Sequence, residues 1–510
     1  MMPRSVLDRL LTPLLVLAGA ASPFVPPPRP SGPVPPSAAP LPPAPDGDAD
    51  GDGPRVVVLG GGFGGINAAL TLPTLPWTGP PPRITLVDRS ERFVFLPLLY
   101  ELCVDDAAVD EVAPTFRGLL SGSPVDFVRA EVGGVDVPNR RVYVTDSRDG
   151  SVRTLEYDAL IVATGAEVSL DAVEGAEGRA LPFYTVEDAA ELRRRLSLID
   201  ALLEGDGGGD GAASIAVVGG GYSGVELALN LVDRFAGSGG RVEVSIVHRG
   251  GRVLEHAAGH NRRAATERLD RAGVNVLTGT SVEGVLPRPD GGDGADPLGR
   301  HRCTLRLSSG GDGGGPTVPS ELDADLLLWT AGATPTSAEN RGVRNSVLPR
   351  DAMGRILTGP TLSVPGRPEV FAIGDCGRVK GRTRYPATAQ VAMQMATCAG
   401  WNVYAALSSP DGAGGTPPPS GGPRPRPFNF VSLGEMMTLG ADDATISALG
   451  GAVELDGEAA SWIRRLAYAA RMPTPGQAAR AAVDGTGRRI ARGAARRRGR
   501  RKGTKPAERR

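Results

Sequence analysis

Cysteine is scarce in this chain: Cys103, Cys303, Cys376 and Cys398 are the four in 510 residues, and no two form a CxxC pair. That excludes a disulfide scaffold, a zinc ribbon and a CxxC redox centre. No apolar run approaches the roughly 18 residues needed to cross a bilayer, so an integral multi-span protein is excluded as well. A nucleophile elbow and a P-loop are both missing, which leaves hydrolase and NTPase readings without support. His256 and His260 stand at i,i+4. Gly259 weakens the helix they would share and nothing in the pattern completes a ligand set, so no metal is expected.

Glycine (71) and proline (46) are instead abundant, yet 41% hydrophobic residues suffice for sizeable cores. The length predicts two or more domains, with the excess Gly and Pro outside them. From Ser22 to Pro45, 12 of 24 residues are proline, following the short apolar stretch Leu10–Ala21. Residues 1–53 therefore read as a targeting segment, secretory or organellar, and a Pro-rich linker. Asp46–Gly51 imitates a calcium loop, but the position needing a glutamate is Val57, inside a predicted strand. Gly205–Gly211, Pro287–Gly299, Ser308–Pro319 and Ser409–Pro427 read as loops. Net charge is −1, but Arg488–Arg510 holds 12 Lys/Arg against one acid. This basic tail, placed at 481–510, either is simply solvated or meets an anionic surface.

Between the loops, strands and helices alternate as in an α/β protein. Val56–Leu59 leads into Gly60-Gly-Gly62-Phe63-Gly64-Gly65, a helix through Leu72, and a second strand, Arg83–Asp88. Gly60 suits the tight turn, Gly62 the approach of a pyrophosphate and Gly65 helix–strand packing, with phosphate at the helix N-terminus. Asp88 lies where a carboxylate accepts ribose hydroxyls, and Arg89 follows it. The same unit recurs: Ile215–Val218, then Gly219, Gly221 and Gly224, then a helix and Val242–Val247 ending in His248-Arg249. Two such units imply two dinucleotides, the natural pair being a flavin and a nicotinamide. Strand-end His248 and Arg249, where NADH-selective sites carry an acid, suggest that NADPH is accepted; alternatively Arg249 points to solvent. Tyr157–Gly165, with Thr164, and Ala324–Gly332 are matching strand-plus-T(x)G signals. Phe371–Asp375 ends in Gly374-Asp375, where an aspartate can bind a ribityl hydroxyl.

These motifs resemble the two-dinucleotide-binding flavoproteins, specifically the type II NAD(P)H:quinone oxidoreductases. The segments Phe428–Gly440 and Leu466–Tyr468 resemble the plant and cyanobacterial branch of NAD(P)H dehydrogenase C1 and demethylphylloquinone reductase. The resemblance runs from about Arg55 to Ala479. It implies two Rossmann-like domains, the second inserted in the first: a noncovalent-FAD domain at 54–200 and 340–408 and an NAD(P)H domain at 212–335. It further implies a C-terminal membrane- and quinone-side region at 425–480. Glu226, Gln390 and Gln394, the latter two in an AQxAxQ segment, become candidates around the flavin and quinone rings. The reaction implied is non-proton-pumping transfer from NADPH or NADH through FAD to plastoquinone or a phylloquinone precursor. A homodimer without nucleic-acid partners, in a chloroplast or else a mitochondrion, is also expected.

At about 100° per residue, Trp462, Ile463, Leu466, Ala467 and Ala470 share one face of a helix over Ala459–Met472, opposite Arg464 and Arg471. Such a helix can lie in a membrane surface or pack on the core. Three alternatives remain on this reading. Cys103, Cys376 and Cys398 could serve a sulfide:quinone reductase. A soluble ferredoxin or monodehydroascorbate reductase would need no membrane helix. A nucleotide-sensing flavoprotein would turn over no quinone.

Overall fold

A computed structural model describes residues 53–104, 107–204, 211–288, 301–309, 319–335, 348–382, 385–408 and 422–488. The expected targeting segment, most of the four Gly/Pro-rich loops and the tail beyond residue 488 lie outside the described residues.

The strand Arg55–Leu59 is Arg-Val-Val-Val-Leu, buried on both faces as a central parallel strand must be. It pairs in parallel with Arg83–Asp88 on one side and Ala159–Val162 on the other. Arg367–Ala372 extends the sheet beyond Ala159–Val162, and Val125–Asp136 beyond Arg83–Asp88. The helices Phe63–Thr71 and Ala389–Leu407 lie against each other, and Ile66, Ala396 and Ala399 share one core with Val56, Val58 and Ile161. A second, wholly parallel sheet runs Asn275–Leu277, Val242–Val247, Ala213–Val218, Leu326–Trp329, Ala180–Pro182. Its strands fall in chain order between those of the first sheet. Ala180–Pro182, expected inside the first nucleotide domain, instead pairs with Leu327–Trp329. Three residues with one proline carry no alternation by which sequence could assign them to a sheet.

Gly165 and Gly332 both have positive φ, 70° and 76°, and each ends a T(x)G segment. The strands they feed, Ala166–Val168 and Ala333–Pro335, pair antiparallel with each other. The two units are thus joined through a two-stranded ribbon.

The C-terminal region is a three-stranded antiparallel sheet, Glu435–Thr438, Ala444–Ala448 and Val453–Asp456, followed by the helix Gly457–Ala469. Here the sequence reading needs correction. Arg464, placed by the projection opposite the apolar face, is buried, while Leu466 on that face is 41% exposed. The basic edge turns inward because it meets acids there: Arg464 lies 3.5 Å from Glu101, and Arg465 pairs with Glu101 and, at 2.8 Å, with Glu111. Residues 475–488, partly assigned to the tail, are helical, and Arg488 also pairs with Glu111. Among the described residues no helix is long and apolar enough to cross a membrane.

Gly65 makes this architecture testable. A Cβ there would stand 1.7 Å from the Gly60 carbonyl oxygen, a backbone atom that cannot yield without prying helix from strand. Gly65→Ala is expected to cost about 1–3 kcal/mol. A thermal melt checks this, and an unchanged midpoint would contradict the packing.

Candidate functional site

Each glycine loop ends at an uncapped helix. Phe63–Thr71 and Tyr222–Arg234 have Gly62 and Gly221 as N-caps, without a side-chain hydrogen bond, leaving the first-turn N–H groups available. A Cβ built on Gly62 or Gly221 meets nothing within 4 Å, so the loops face open space. Gly60 and Gly219 have φ of 92° and 119°, accessible to glycine. A Cβ at Gly224 would lie 1.8 Å from the Gly219 oxygen, repeating the Gly65–Gly60 approach. Gly64 sits closest to Ile373. Open glycine loops before free N–H groups fit the phosphates of two dinucleotides.

The strand-end residues match across the units. Asp88 Oδ2 accepts the Gly61 N–H at 2.6 Å and Oδ1 accepts that of Ser90 at 2.7 Å. Burial raises the Asp88 pKa, and those two N–H groups oppose the rise. His248 occupies the corresponding place: its Nδ1 accepts the Gly220 N–H at 3.1 Å. Burial lowers its pKa, favouring a neutral ring that neither repels a 2′-phosphate nor pairs with it. Arg249 is exposed. Arg89 turns to Glu167 on the ribbon strand. Thr330 Oγ1 donates to the Val218 oxygen at 3.0 Å, locking its T(x)G segment to the second glycine loop. Thr164 lies beside Cys376.

Gly374, φ 70°, and Asp375 open on a cleft whose wall includes Ala166, Ala333, Tyr385 and Met395. The ribbon and the start of the helix Ala389–Leu407 therefore bound the same space. Gln390 and Gln394, on that helix, are both committed to backbone. Gln390 accepts the Leu433 N–H at 2.9 Å and donates to Gly434; Gln394 accepts from Val431 at 3.0 Å and donates back at 2.8 Å. They hold the chain entering the C-terminal sheet against the helix Ala389–Leu407.

Glu226, in the helix that follows the second glycine loop, meets the C-terminal sheet. It is buried, accepts the Thr438 N–H at 2.9 Å, and has its pKa raised to about 7 by burial, with Arg464 opposing. One turn earlier, the Tyr222 hydroxyl donates to Glu435 at 2.6 Å. Phe63 packs edge-on against Phe93 and Phe95, and Phe95 lies 5.6 Å from Tyr468. Tyr100, Glu101, Thr438 and Arg464 were not identifiable as site residues from sequence, having no local pattern.

The cysteines are inert by placement. The single S–H of Cys376 has the Val162 and Ile373 carbonyls within reach, that of Cys103 the Leu99 and Ala189 carbonyls, and Cys398 donates to Arg426. Burial raises the Cys376 pKa and pushes that of Cys398 up to about 12. A thiol so placed carries little thiolate for sulfur chemistry. His260 bonds Asp456 at 3.0 Å and lies 3.3 Å from Glu454, and no metal-binding cluster occurs among the described residues.

Residues 54–396 match the family model described as pyridine nucleotide-disulphide oxidoreductase. Demethylphylloquinone reductase NdbB of Synechocystis is 37% identical over 82% of this chain and 93% of its own. The alternative NAD(P)H-ubiquinone oxidoreductase C1, chloroplastic/mitochondrial, of Arabidopsis thaliana is also 37% identical, over 83% and 79%. In fold the chain is similar to Plasmodium falciparum NDH2 crystallised with NADH: TM-score 0.65, 17% identity, 86% of this chain and 97% of that one. With the family model matched over more than half its length, the chain belongs to the pyridine nucleotide-disulphide oxidoreductase family, on its NAD(P)H:quinone oxidoreductase branch.

Proposed function

We propose that the protein oxidises NAD(P)H and passes two electrons, through noncovalent FAD in the first unit, to a membrane quinone. The observation that carries this reading is the duplication. Two open glycine loops end in uncapped helices, and their T(x)G segments feed one shared ribbon. Two dinucleotides so held approach one cleft. A flavin, when bound, accepts a hydride from nicotinamide and returns two electrons to a quinone.

The chain's own residues supply position and charge. Asp88 keeps lone pairs for ribose hydroxyls beyond its two N–H bonds, and Asp375 faces the cleft where a ribityl chain would run. Glu226, with a pKa near 7, can hold or release a proton under neutral conditions. Gln390 and Gln394 fix the wall that a quinone ring would slide along. The relatives are named for demethylphylloquinone and for ubiquinone, the latter as chloroplastic/mitochondrial, which supports a membrane quinone of plastoquinone or phylloquinone-precursor type and a plastid or mitochondrial site. Assembly as a homodimer rests on the resemblance alone.

The exposed apolar edge of the helix Gly457–Ala469 supports a membrane-surface role. Leu466 is 41% exposed beside partly buried Trp462 and Ile463, because the arginines of this helix are turned into the protein. That leaves apolar surface outward, where a bilayer would cover it. Leu466→Glu with Trp462→Glu should abolish flotation with anionic lipid vesicles while sparing turnover of a short-chain, water-soluble quinone. Undiminished flotation would contradict this face.

For the nicotinamide, a neutral His248 beside exposed Arg249 favours NADPH being used at least as well as NADH. A charge-assisted bond to the 2′-phosphate is worth about 1.5–3 kcal/mol, roughly a ten- to hundredfold preference. His248→Glu with Arg249→Ala should raise the preference for NADH, read as kcat/KM with each nicotinamide, and denaturation should release the same amount of intact FAD as before. If the ratio does not move, these residues do not read the phosphate.

A further inference from the structure

Arg464 is 2% exposed and lies between the rings of Tyr100 and Tyr468, 5.7 and 5.2 Å from their centroids. Its Nη2 donates to the Tyr100 hydroxyl and lies 3.5 Å from Glu101. Its Nε and Nη1 are buried and make no hydrogen bond of ordinary geometry among the described residues. Charge matching explains why. Arg465 already serves Glu101 and Glu111, and Arg488 adds to Glu111. Neither Glu435 nor Glu226 has an ion pair among the described residues, and Glu226, on the helix Tyr222–Arg234, is the one whose carboxyl the Arg464 charge acts on. It is 8% exposed and is held by the Thr438 N–H. Two residues before Thr438 on the same strand, the Met436 carbonyl accepts the Tyr468 hydroxyl at 3.1 Å. Glu226 and the Arg464–Tyr468 pair are thus both held by the strand Glu435–Thr438, with no direct ion pair between Glu226 and Arg464 among the described residues.

We propose that Arg464 is a positioning residue for proton transfer: its charge, held between Tyr100 and Tyr468, lets buried Glu226 alternate between carboxyl and carboxylate during quinone reduction. The inference rests on Glu226 being the proton-handling group proposed above. Reduction of a quinone to its quinol consumes two electrons and two protons. A reduced flavin, when bound, would supply both electrons and one of the protons as a hydride equivalent. Glu226 gives the second proton to a quinone oxygen, becomes a carboxylate, and is reprotonated from solvent. In a dry site an uncompensated carboxyl keeps its proton, and a nearby cation makes release possible. The other groups facing this site are Tyr100 and Glu101 from the helix Leu99–Cys103, Tyr468 beside Arg464, Glu435 from the C-terminal sheet, and Tyr222 one turn before Glu226. On the side of the helix Gly259–Ala272, Arg268 is taken up by Asp233 at 2.5 Å.

The test is the pH dependence of quinone reduction by the flavin-loaded enzyme. The wild type should show a limb near neutrality that Glu226→Gln removes. Removing the cation leaves burial unopposed, so the Glu226 pKa rises and Arg464→Gln should move the limb up by about 1–3 pH units. Arg464→Lys should leave it near its wild-type position, at equal flavin content. If Arg464→Gln does not fold, Glu101→Gln with Arg464→Met removes both charges of the contact. The limb should still rise, because Arg464 outweighs Glu101 at Glu226. A limb that survives Glu226→Gln would overturn the reading of Glu226 itself. A limb lost in Glu226→Gln but unmoved in the Arg464 variants would overturn the role of Arg464 alone.

Discussion

A buried set of opposite charges holds the two nucleotide units and the C-terminal region in one arrangement. Glu101 and Glu111 come from the first unit, and Arg464, Arg465 and Arg488 from the C-terminal helices. On the other side the C-terminal sheet grips the second unit, with Thr438 on Glu226, Glu435 on Tyr222 and Ala441 on Asp233. Stripping one partner from a buried pair leaves a charge without solvation, at a cost of about 3–5 kcal/mol. The C-terminal region is therefore bound to both units at once.

The glycine loops were legible in the sequence because their function is local. A tight turn, a close backbone approach and a free helix N-terminus are all set by residues within one βα unit. Gly60, Gly65, Gly219 and Gly224 stand where the spacing placed them, and the Gly165 and Gly332 segments return the chain to the same ribbon. Family membership follows from the same duplicated pattern.

What stayed hidden depends on distant partners. The helical projection put Arg464 opposite the apolar face, where an arginine, read alone, belongs. Its acid, Glu101, lies 363 residues earlier, and only the fold makes the two neighbours. Gln390 and Gln394 read as ring-facing groups, yet both amides pair with the backbone of the Val431–Gly434 segment. His248 read as a missing charge. In the fold it also does what Asp88 does, accepting the N–H of the glycine loop. Such roles depend on tertiary contact, which short-range periodicity cannot report.

The proposed reaction requires one cofactor to be reduced by a nicotinamide and reoxidised by a quinone. The direct measurement is an anaerobic pair of half-reactions on purified protein carrying its flavin. NADPH alone should bleach the oxidised flavin absorbance, and a quinone added afterwards should restore it, one quinone reduced per NADPH consumed. A flavin that neither nicotinamide bleaches, or one that stays bleached when quinone is supplied, would contradict the account.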